Sequence, residues 1–116
     1  MKEIAFVFLG GGTGSAVRYL IGLSTKKTLP ALTFPLHTLI ANLIACLIFA
    51  PVMWWSKDKL SPNLHMLVLV GFCGGLSTFS AFSFETYTLL GNNVGLALMN
   101  VGISVLCCMG VFYLFR

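Results

Sequence analysis

Residues 71–85 read Gly-Phe-Cys-Gly-Gly-Leu-Ser-Thr-Phe-Ser-Ala-Phe-Ser-Phe-Glu. They lie inside an apolar run from about Leu64 to Leu90, longer than the roughly 20 residues that a helix needs to cross a bilayer. The paired glycines weaken a helix, and the hydroxyl side chains offer competing hydrogen bonds. We therefore predict a membrane span that is broken near residues 74–79. Broken backbone at membrane depth is tolerated only where protein buries it or where it lines a cavity, so the break is predicted to form a functional site.

The composition of the whole chain predicts a membrane protein. Of its 116 residues, 58% are hydrophobic and only 9% are charged, whereas about 25% charged residues is typical of a soluble domain. The apolar residues form four runs, at about residues 4–23, 34–55, 64–90 and 94–115. The prediction is a single transmembrane domain over residues 1–116, an all-α polytopic membrane protein with four transmembrane helices per subunit. An enzyme is not expected, because no nucleophile–base pair or metal-ligand set can be assembled from the sequence.

The distribution of positive charge predicts how the chain inserts. The net charge of +4 is attributed to lipid headgroups rather than to nucleic acid, since Lys and Arg mostly flank the apolar runs. Four spans place both termini on one side. That side carries Lys2, Lys57, Lys59 and Arg116, and the opposite side carries Arg18, Lys26 and Lys27. Orientation follows the asymmetry of such residues, so its near absence predicts dual topology and an antiparallel homodimer, whose two-fold axis lies in the membrane plane.

Two phenylalanines and several hydroxyls give the predicted break its chemistry. Phe79 and Phe82 are three residues apart and share a helix face. Packing or lipid contact would be ordinary for either ring alone, but a ring is electropositive at its edge, and two edges beside hydroxyls can coordinate an anion. Freed backbone carbonyls would instead suit a hard monovalent cation. The residues alone leave both kinds of ion open.

Polar and small residues in the first two spans are further candidates. Asn42 lies about two turns inside the second span and must find a partner, either as a contact between helices or in an ion path. Arg18 is near the end of the first span, where snorkelling to the headgroups is favoured over facing a water-filled mouth. Gly10 and Gly14 fit the small-xxx-small pattern of closely packed membrane helices.

Three stretches together resemble the motifs of the CrcB/Fluc fluoride channel family. They are residues 71–83, residues 10–19 (Gly-Gly-Gly-Thr-Gly-Ser-Ala-Val-Arg-Tyr) and residues 38–43 (Thr-Leu-Ile-Ala-Asn-Leu). The first is the most specific. The resemblance covers the whole chain and implies a fluoride-selective channel in the bacterial inner membrane. It also implies an antiparallel homodimer with two pores, which relieves toxicity by passive fluoride export.

The resemblance also implies roles for individual residues. It places Phe79 and Phe82 in the lining of the fluoride path, with Asn42 as a polar pore residue. Further residues that it assigns to the path are Arg18 in the vestibule, Ser104 on the pore side of the fourth helix, and Thr78, Ser80 and Ser83 as polar-track or break-stabilising residues.

A structural sodium ion is implied as well, on the dimer axis. The family resemblance assigns it to main-chain carbonyls of Gly74 and Ser77 from both subunits. The chain departs from the family pattern at three positions: Asn100 replaces a common tyrosine, and Ser77 and Ala81 replace common threonines. Serine at position 77 leaves the main-chain carbonyl available to the implied sodium ion, whereas alanine at position 81 lacks the hydroxyl of threonine.

Two other functions are weighed against the channel. A small multidrug-type proton-coupled exporter is also a four-span antiparallel dimer, but it needs a carboxylate deep in the first helix. Here Glu3 is too near the terminus, and Glu85 is on the third span. A non-transporting assembly subunit of the membrane, held together by glycine and hydroxyl contacts, is the remaining alternative.

Overall fold

The chain is helical throughout in the computed structural model, which describes residues 1–56 and 58–116. The helices, in chain order, are α1 (Lys2–Thr28), α2 (Leu36–Pro51), α3 (residues 62–76), α4 (Phe79–Asn92) and α5 (Val94–Leu114). Helix α2 continues as a wider π-helical turn over Val52–Ser56. Helix α3 is π-helical over Met66–Cys73, between α-helical ends at Pro62–His65 and Gly74–Leu76.

Within the described residues, four stretches of helix are long and apolar enough to cross a membrane: Lys2–Thr28, Leu36–Ser56, Pro62–Asn92 and Val94–Leu114. They confirm the prediction of an all-α protein with four apolar spans. Large apolar side chains such as Phe8 and Leu106 point outward and are 78% and 71% exposed. Extensive exposed apolar surface of this kind marks contact with lipid or protein. Lys57, which entered the charge count, lies outside the described residues.

The helix starts follow from capping side chains in the sequence. Ser61 Oγ accepts a hydrogen bond from the Leu64 amide at 3.3 Å, with proline in the first turn of α3. Asn93 Oδ1 does the same for the Leu96 amide at 3.1 Å and starts α5 directly after α4. Serine and asparagine are favoured at these positions because their oxygens satisfy amides that have no partner within the helix.

Helix α1 packs against α3 through glycines on both helices. A Cβ atom added at Gly10 would collide with the Leu67 carbonyl oxygen, and one at Gly14 with that of Phe72. The contact is reciprocal, since a Cβ at Gly75 would meet the Gly11 carbonyl. Both Gly10 and Gly14 are buried. The structure thus confirms the prediction that the glycines of the first span allow close helix packing.

The backbone is extended at two residues between α3 and α4. Ser77 has φ −75° and ψ 153°, and Thr78 has φ −151° and ψ 122°. Gly74 is helical, with φ −64° and ψ −37°, and none of the described glycines has a positive φ. The extended residues therefore follow the glycine pair rather than coincide with it, and Gly75 serves the close contact with α1.

The buried core lies where α2 and α3 meet. It contains Ala41, Ala45, Leu69, Cys73 and Leu76, with side chains of α1 such as Val17 and Ile21 packed against it. Leu76 is completely buried and directly precedes the two extended residues. The end of α3 is thus anchored in the core, and this fixes the position at which the extended backbone begins.

Candidate ion path

The extended backbone at Thr78 is held by a side chain of another helix. The Thr78 amide donates a hydrogen bond to Asn42 Oδ1 at 2.8 Å. In a continuous α-helix this amide would donate to the carbonyl four residues earlier, at Gly74. Asn42 on α2 therefore accepts the hydrogen bond that the Gly74 carbonyl would accept in a continuous helix. Asn42 has the interhelical partner that the sequence required of it.

Hydroxyl groups organise the backbone on both sides of the extended residues. Ser77 Oγ donates to the Cys73 carbonyl at 2.8 Å. Thr78 Oγ1 accepts from the Ala81 amide at 3.3 Å and so caps the start of α4. It also shares a 3.3 Å hydrogen bond with Ser80 Oγ. The N-terminus of α4, which carries partial positive charge, thus begins at a cluster of hydroxyls.

An open groove of about 300 Å³ lies beside this cluster and is called the aromatic groove below. The rings of Phe79 and Phe82 have centroids 6.0 Å apart and planes tilted by 39°. Phe79 is 80% exposed, whereas Phe82 is half-buried. The described residues that line the groove are Asn42, Cys46, Ser77, Thr78, Phe79, Phe82, Ser104, Val105 and Cys108.

Ser104 brings an unused hydrogen-bonding group to the aromatic groove. Its side chain is only 6% exposed, and its Oγ has no hydrogen-bond partner among the described residues. A buried hydroxyl without a partner costs roughly 1–3 kcal/mol. Since Ser104 lines the groove, a hydrogen-bond acceptor in the groove would satisfy this donor.

Two further hollows lie near the aromatic groove. The first, the vestibule, has a volume of about 330 Å³ and is lined by Arg18, Lys26, His37, Thr38 and Thr78 among others. The second, the mouth, has a volume of about 550 Å³ and is lined by Lys26, His37 and Glu85 among others. Thr78 borders both the groove and the vestibule, while Lys26 and His37 border both the vestibule and the mouth. The three hollows are therefore neighbours that share wall residues, and together they are called the route below.

Glu85 contacts two residues of α2 at the mouth. Thr38 Oγ1 donates to Glu85 Oε1 at 2.7 Å, and His37 Nε2 lies 3.0 Å from the same oxygen. The sequence did not predict this cluster, because the residues are far apart along the chain. The available signal was topological: the up-and-down order of four spans puts the start of the second and the end of the third on one side.

Some of the remaining predicted site residues line or contact the three hollows, and others do not. Arg18 lines the vestibule, and Ser80 contacts Thr78. Ser83 is exposed and does not line any of the three hollows. Gly74 is exposed and borders, together with Ser77, a separate shallow hollow of about 170 Å³.

Asn100, which replaces the tyrosine of the family pattern, points into the protein. It is 1% exposed, and its Nδ2 donates to Thr86 Oγ1 at 2.9 Å. Thr86 Oγ1 in turn donates to the Phe82 carbonyl at 2.7 Å. Asn100 therefore braces the helix that carries Phe82, an indirect role that sequence spacing did not predict.

Comparison with known proteins places these features in a family. The sequence profile described as "CrcB-like protein, Camphor Resistance (CrcB)" matches residues 5–115. A relative from Methanococcus aeolicus is 39% identical over 119 residues, which cover 100% of this chain and 94% of the relative. One from Escherichia coli O17:K52:H18 is 43% identical over 109 residues, covering 91% and 84%. A third, from Flavobacterium psychrophilum, is 38% identical over 108 residues, covering 90% and 86%.

Each of these relatives is named "Fluoride-specific ion channel FluC". Ion channels are not enzymes, and the names agree with the sequence-based expectation of a non-enzymatic protein. They do not support the multidrug-exporter alternative. The matched profile and the similarity over most of the chain show that this protein belongs to the CrcB family.

Proposed function

We propose that this protein is a fluoride-specific ion channel through which fluoride leaves the cytoplasm passively, in relief of fluoride toxicity. The observation that supports this most directly is the aromatic groove. There the Phe79 and Phe82 rings, the Asn42 amide and the unpartnered Ser104 hydroxyl converge. None of the described residues that line it is charged. Conduction needs sites weak enough for the ion to leave, and ring edges and hydroxyl donors provide weak attraction for an anion.

The route beyond the groove supports an anion as the permeating ion. Thr78 connects the groove to the vestibule, where Arg18 and Lys26 contribute positive charge. Clefts lined by one sign of charge raise the local concentration of the opposite ion. We assign Arg18 to the vestibule of the path on this basis. Ser80 belongs to the same polar track through its contact with Thr78, whereas Ser83 lines none of the three hollows and is not assigned to the track.

We further propose that two copies insert with opposite orientation and pair as an antiparallel homodimer. The aromatic groove is open on one side, and Phe79 on its edge is 80% exposed. An ion path must be closed off from lipid, because no water in the hydrocarbon region can replace the ion's contacts. A second copy would close the groove. Since a two-fold interface uses the same surface on both subunits, the dimer would contain two equivalent pores in the bacterial inner membrane.

We also propose a structural sodium ion at that interface, and two features of the backbone support it. Gly74 is exposed, with open space around it, and the amide that would bond its carbonyl is taken by Asn42. Ser77 follows the last residue of α3 in an extended conformation, so its carbonyl leaves the direction of the helix. Oxygen ligands suit hard cations. The carbonyls of Gly74 and Ser77 from both subunits would hold the ion and join the two broken third spans.

A proton-coupled exporter does not fit the placement of the carboxylates. Glu3 is at the exposed end of α1, where its Oε2 lies 3.1 Å from the terminal amino group. Glu85 is on α4 and borders the mouth rather than the centre of the membrane domain. The first helix therefore offers no deep carboxylate for proton exchange.

Ion efflux from liposomes tests the proposed function. Purified protein is reconstituted with internal fluoride or chloride, and release is followed with ion-selective electrodes. We expect rapid fluoride release with little chloride release. The proposal is wrong if no fluoride is released, or if chloride leaves equally well.

Variants of the two groove phenylalanines separate a channel from a non-transporting assembly subunit. Phe79→Ile and Phe82→Ile remove the ring edges and should lower fluoride efflux by about tenfold or more, which corresponds to about 1.4 kcal/mol at the barrier. Phe8→Ile is the matched control, because this ring is on α1 and 78% exposed. An assembly subunit would show no difference among the three variants.

A further inference from the structure

A carboxylate at the mouth of an anion route requires an electrostatic explanation. Glu85 borders the mouth, and its side chain is 19% exposed. Its Oε1 accepts from Thr38 and lies next to His37, while its Oε2 is buried without a hydrogen-bond partner among the described residues. An ionised carboxylate in this position would repel an approaching anion. The route therefore needs a compensating charge close to Glu85.

The charges around Glu85 come from three helices. Helix α1 contributes Arg18 to the vestibule and Lys26 to both hollows, α2 contributes His37, and α4 contributes Glu85 itself. Helix α5 adds no titratable residue to the described lining of either hollow. Of the titratable side chains that border the two hollows, the His37 imidazole is the one within hydrogen-bonding distance of the carboxylate, at 3.0 Å, while the neutral Thr38 hydroxyl donates to the same oxygen. The imidazole is the closest group that can change its charge in response to pH.

We propose that His37 is the counter-charge that allows an anion to pass Glu85. With a protonated imidazole, the pair carries no net charge and the route conducts. With a neutral imidazole, no charge in direct contact balances the carboxylate, and anion flux falls even though Lys26 also borders the mouth. The inference rests on the proposed function, and it adds a residue that determines how much current the mouth admits.

The pair predicts a direction of pH dependence. Imidazole is the side chain whose ordinary charge change falls between about pH 5 and pH 8. A charged imidazole balances Glu85 and a neutral one does not, so we expect fluoride flux to decrease as the pH rises.

Fluoride efflux from liposomes at equal internal and external pH tests the inference, over about pH 5 to pH 8. After subtraction of the release from protein-free liposomes, through which hydrogen fluoride leaks at acid pH, wild-type efflux should fall by roughly fivefold or more with rising pH, a modest effect for one unit charge near a protein surface. His37→Gln should give low efflux at every pH. Glu85→Gln keeps an oxygen that accepts from Thr38 and should remove the pH dependence.

The double variant His37→Gln/Glu85→Gln tests directly whether His37 acts through Glu85. If His37 acts only by compensating Glu85, removing the carboxylate makes the imidazole dispensable, and efflux is restored relative to His37→Gln alone. The matched control is His65→Gln, because this second histidine lies at the end of the first turn of α3 and borders neither hollow. It should keep the wild-type pH profile. Each variant is checked for its dimer by size-exclusion chromatography.

A second readout does not depend on ion flux. The NMR signals of an isotope-labelled His37 imidazole should change over the same pH interval as the efflux. The inference is wrong if wild-type efflux is constant with pH, if His37→Gln conducts like wild type, or if the double variant stays as low as His37→Gln. Those outcomes leave the proposed function intact, whereas no fluoride efflux at any pH overturns both.

Discussion

Replacement of Asn42 tests whether the extended backbone at Thr78 depends on one side chain. In Asn42→Ala the Thr78 amide loses its acceptor at 2.8 Å, and Thr78 is only 9% exposed. A buried amide left without a partner costs about 1–3 kcal/mol. The local remedy is for Thr78 to turn back into the helix and donate to Gly74, which would carry Phe79 and Phe82 away from their present positions. We therefore expect lower thermal stability and loss of fluoride efflux together.

Asn42→Asp separates the structural role of this residue from its role in the ion path. An aspartate retains an oxygen that accepts from Thr78, so the fold should persist. The new negative charge lies on the lining of the aromatic groove. Two like charges 4 Å apart near a protein surface repel by about 4 kcal/mol, so fluoride efflux should fall by about a hundredfold or more while the protein stays folded.

Both variants are compared in the liposome efflux assay and by thermal unfolding in detergent. Asn63→Ala serves as control, because Asn63 is exposed in the first turn of α3. The reasoning is refuted if Asn42→Ala keeps both wild-type stability and wild-type efflux. It is also refuted if Asn42→Asp conducts fluoride as well as the wild type.

Three further predictions follow from packing, hydrogen bonding and the proposed ion. Gly75→Ala forces a methyl group against the Gly11 carbonyl and should sharply reduce the yield of folded protein, whereas Gly110→Ala, in open space, should be neutral or slightly stabilising. Equal yields of the two variants would contradict the close packing of α1 on α3. Ser104→Ala removes a buried hydroxyl that has no partner among the described residues, so the unfolding temperature should stay the same or rise. Fluoride efflux should fall by about tenfold, which corresponds to about 1.4 kcal/mol at the barrier. Unchanged efflux would exclude this hydroxyl from the path. Replacing sodium throughout purification by a bulky organic cation should lower both dimer stability and efflux, and sodium should restore them; insensitivity of both would refute the sodium site.

The number and kind of spans could be predicted because they depend on composition. Long apolar runs determine four helices regardless of how the helices pack. The close contact of α1 and α3 was also accessible, since glycines at 10 and 14 identify a helix face on which backbones can approach. Such features are encoded by local spacing in the sequence.

The cause of the extended backbone at Ser77 and Thr78 was harder to predict from the sequence. The glycine pair at 74 and 75 looked like the interruption, yet Gly74 is helical and Gly75 is needed for contact with Gly11. The extended backbone lies instead where the Thr78 amide donates to Asn42 of α2. Helix propensity is a local quantity, and it cannot report a hydrogen bond to a residue 36 positions away.

The cluster of His37, Thr38 and Glu85 shows the same limit at the mouth. Each residue was visible in the sequence near the end of a span, but their 2.7 Å and 3.0 Å contacts arise only when α2 and α4 are placed side by side. Asn100 was recognised as a departure from the family pattern. Its contact with Thr86 depends on the pairing of α4 with α5, which no single-span pattern contains.

Thr78 lines both the vestibule and the aromatic groove, so the position of α2 along its axis should affect permeability. The residue forms a wall of two consecutive hollows while its amide is tethered to a neighbouring helix. Sliding α2 along its axis by a fraction of a turn would move the tether and reshape both chambers at once. We therefore expect substitutions on the lipid-facing side of α2, remote from any ion, to alter conductance through the tethered Thr78.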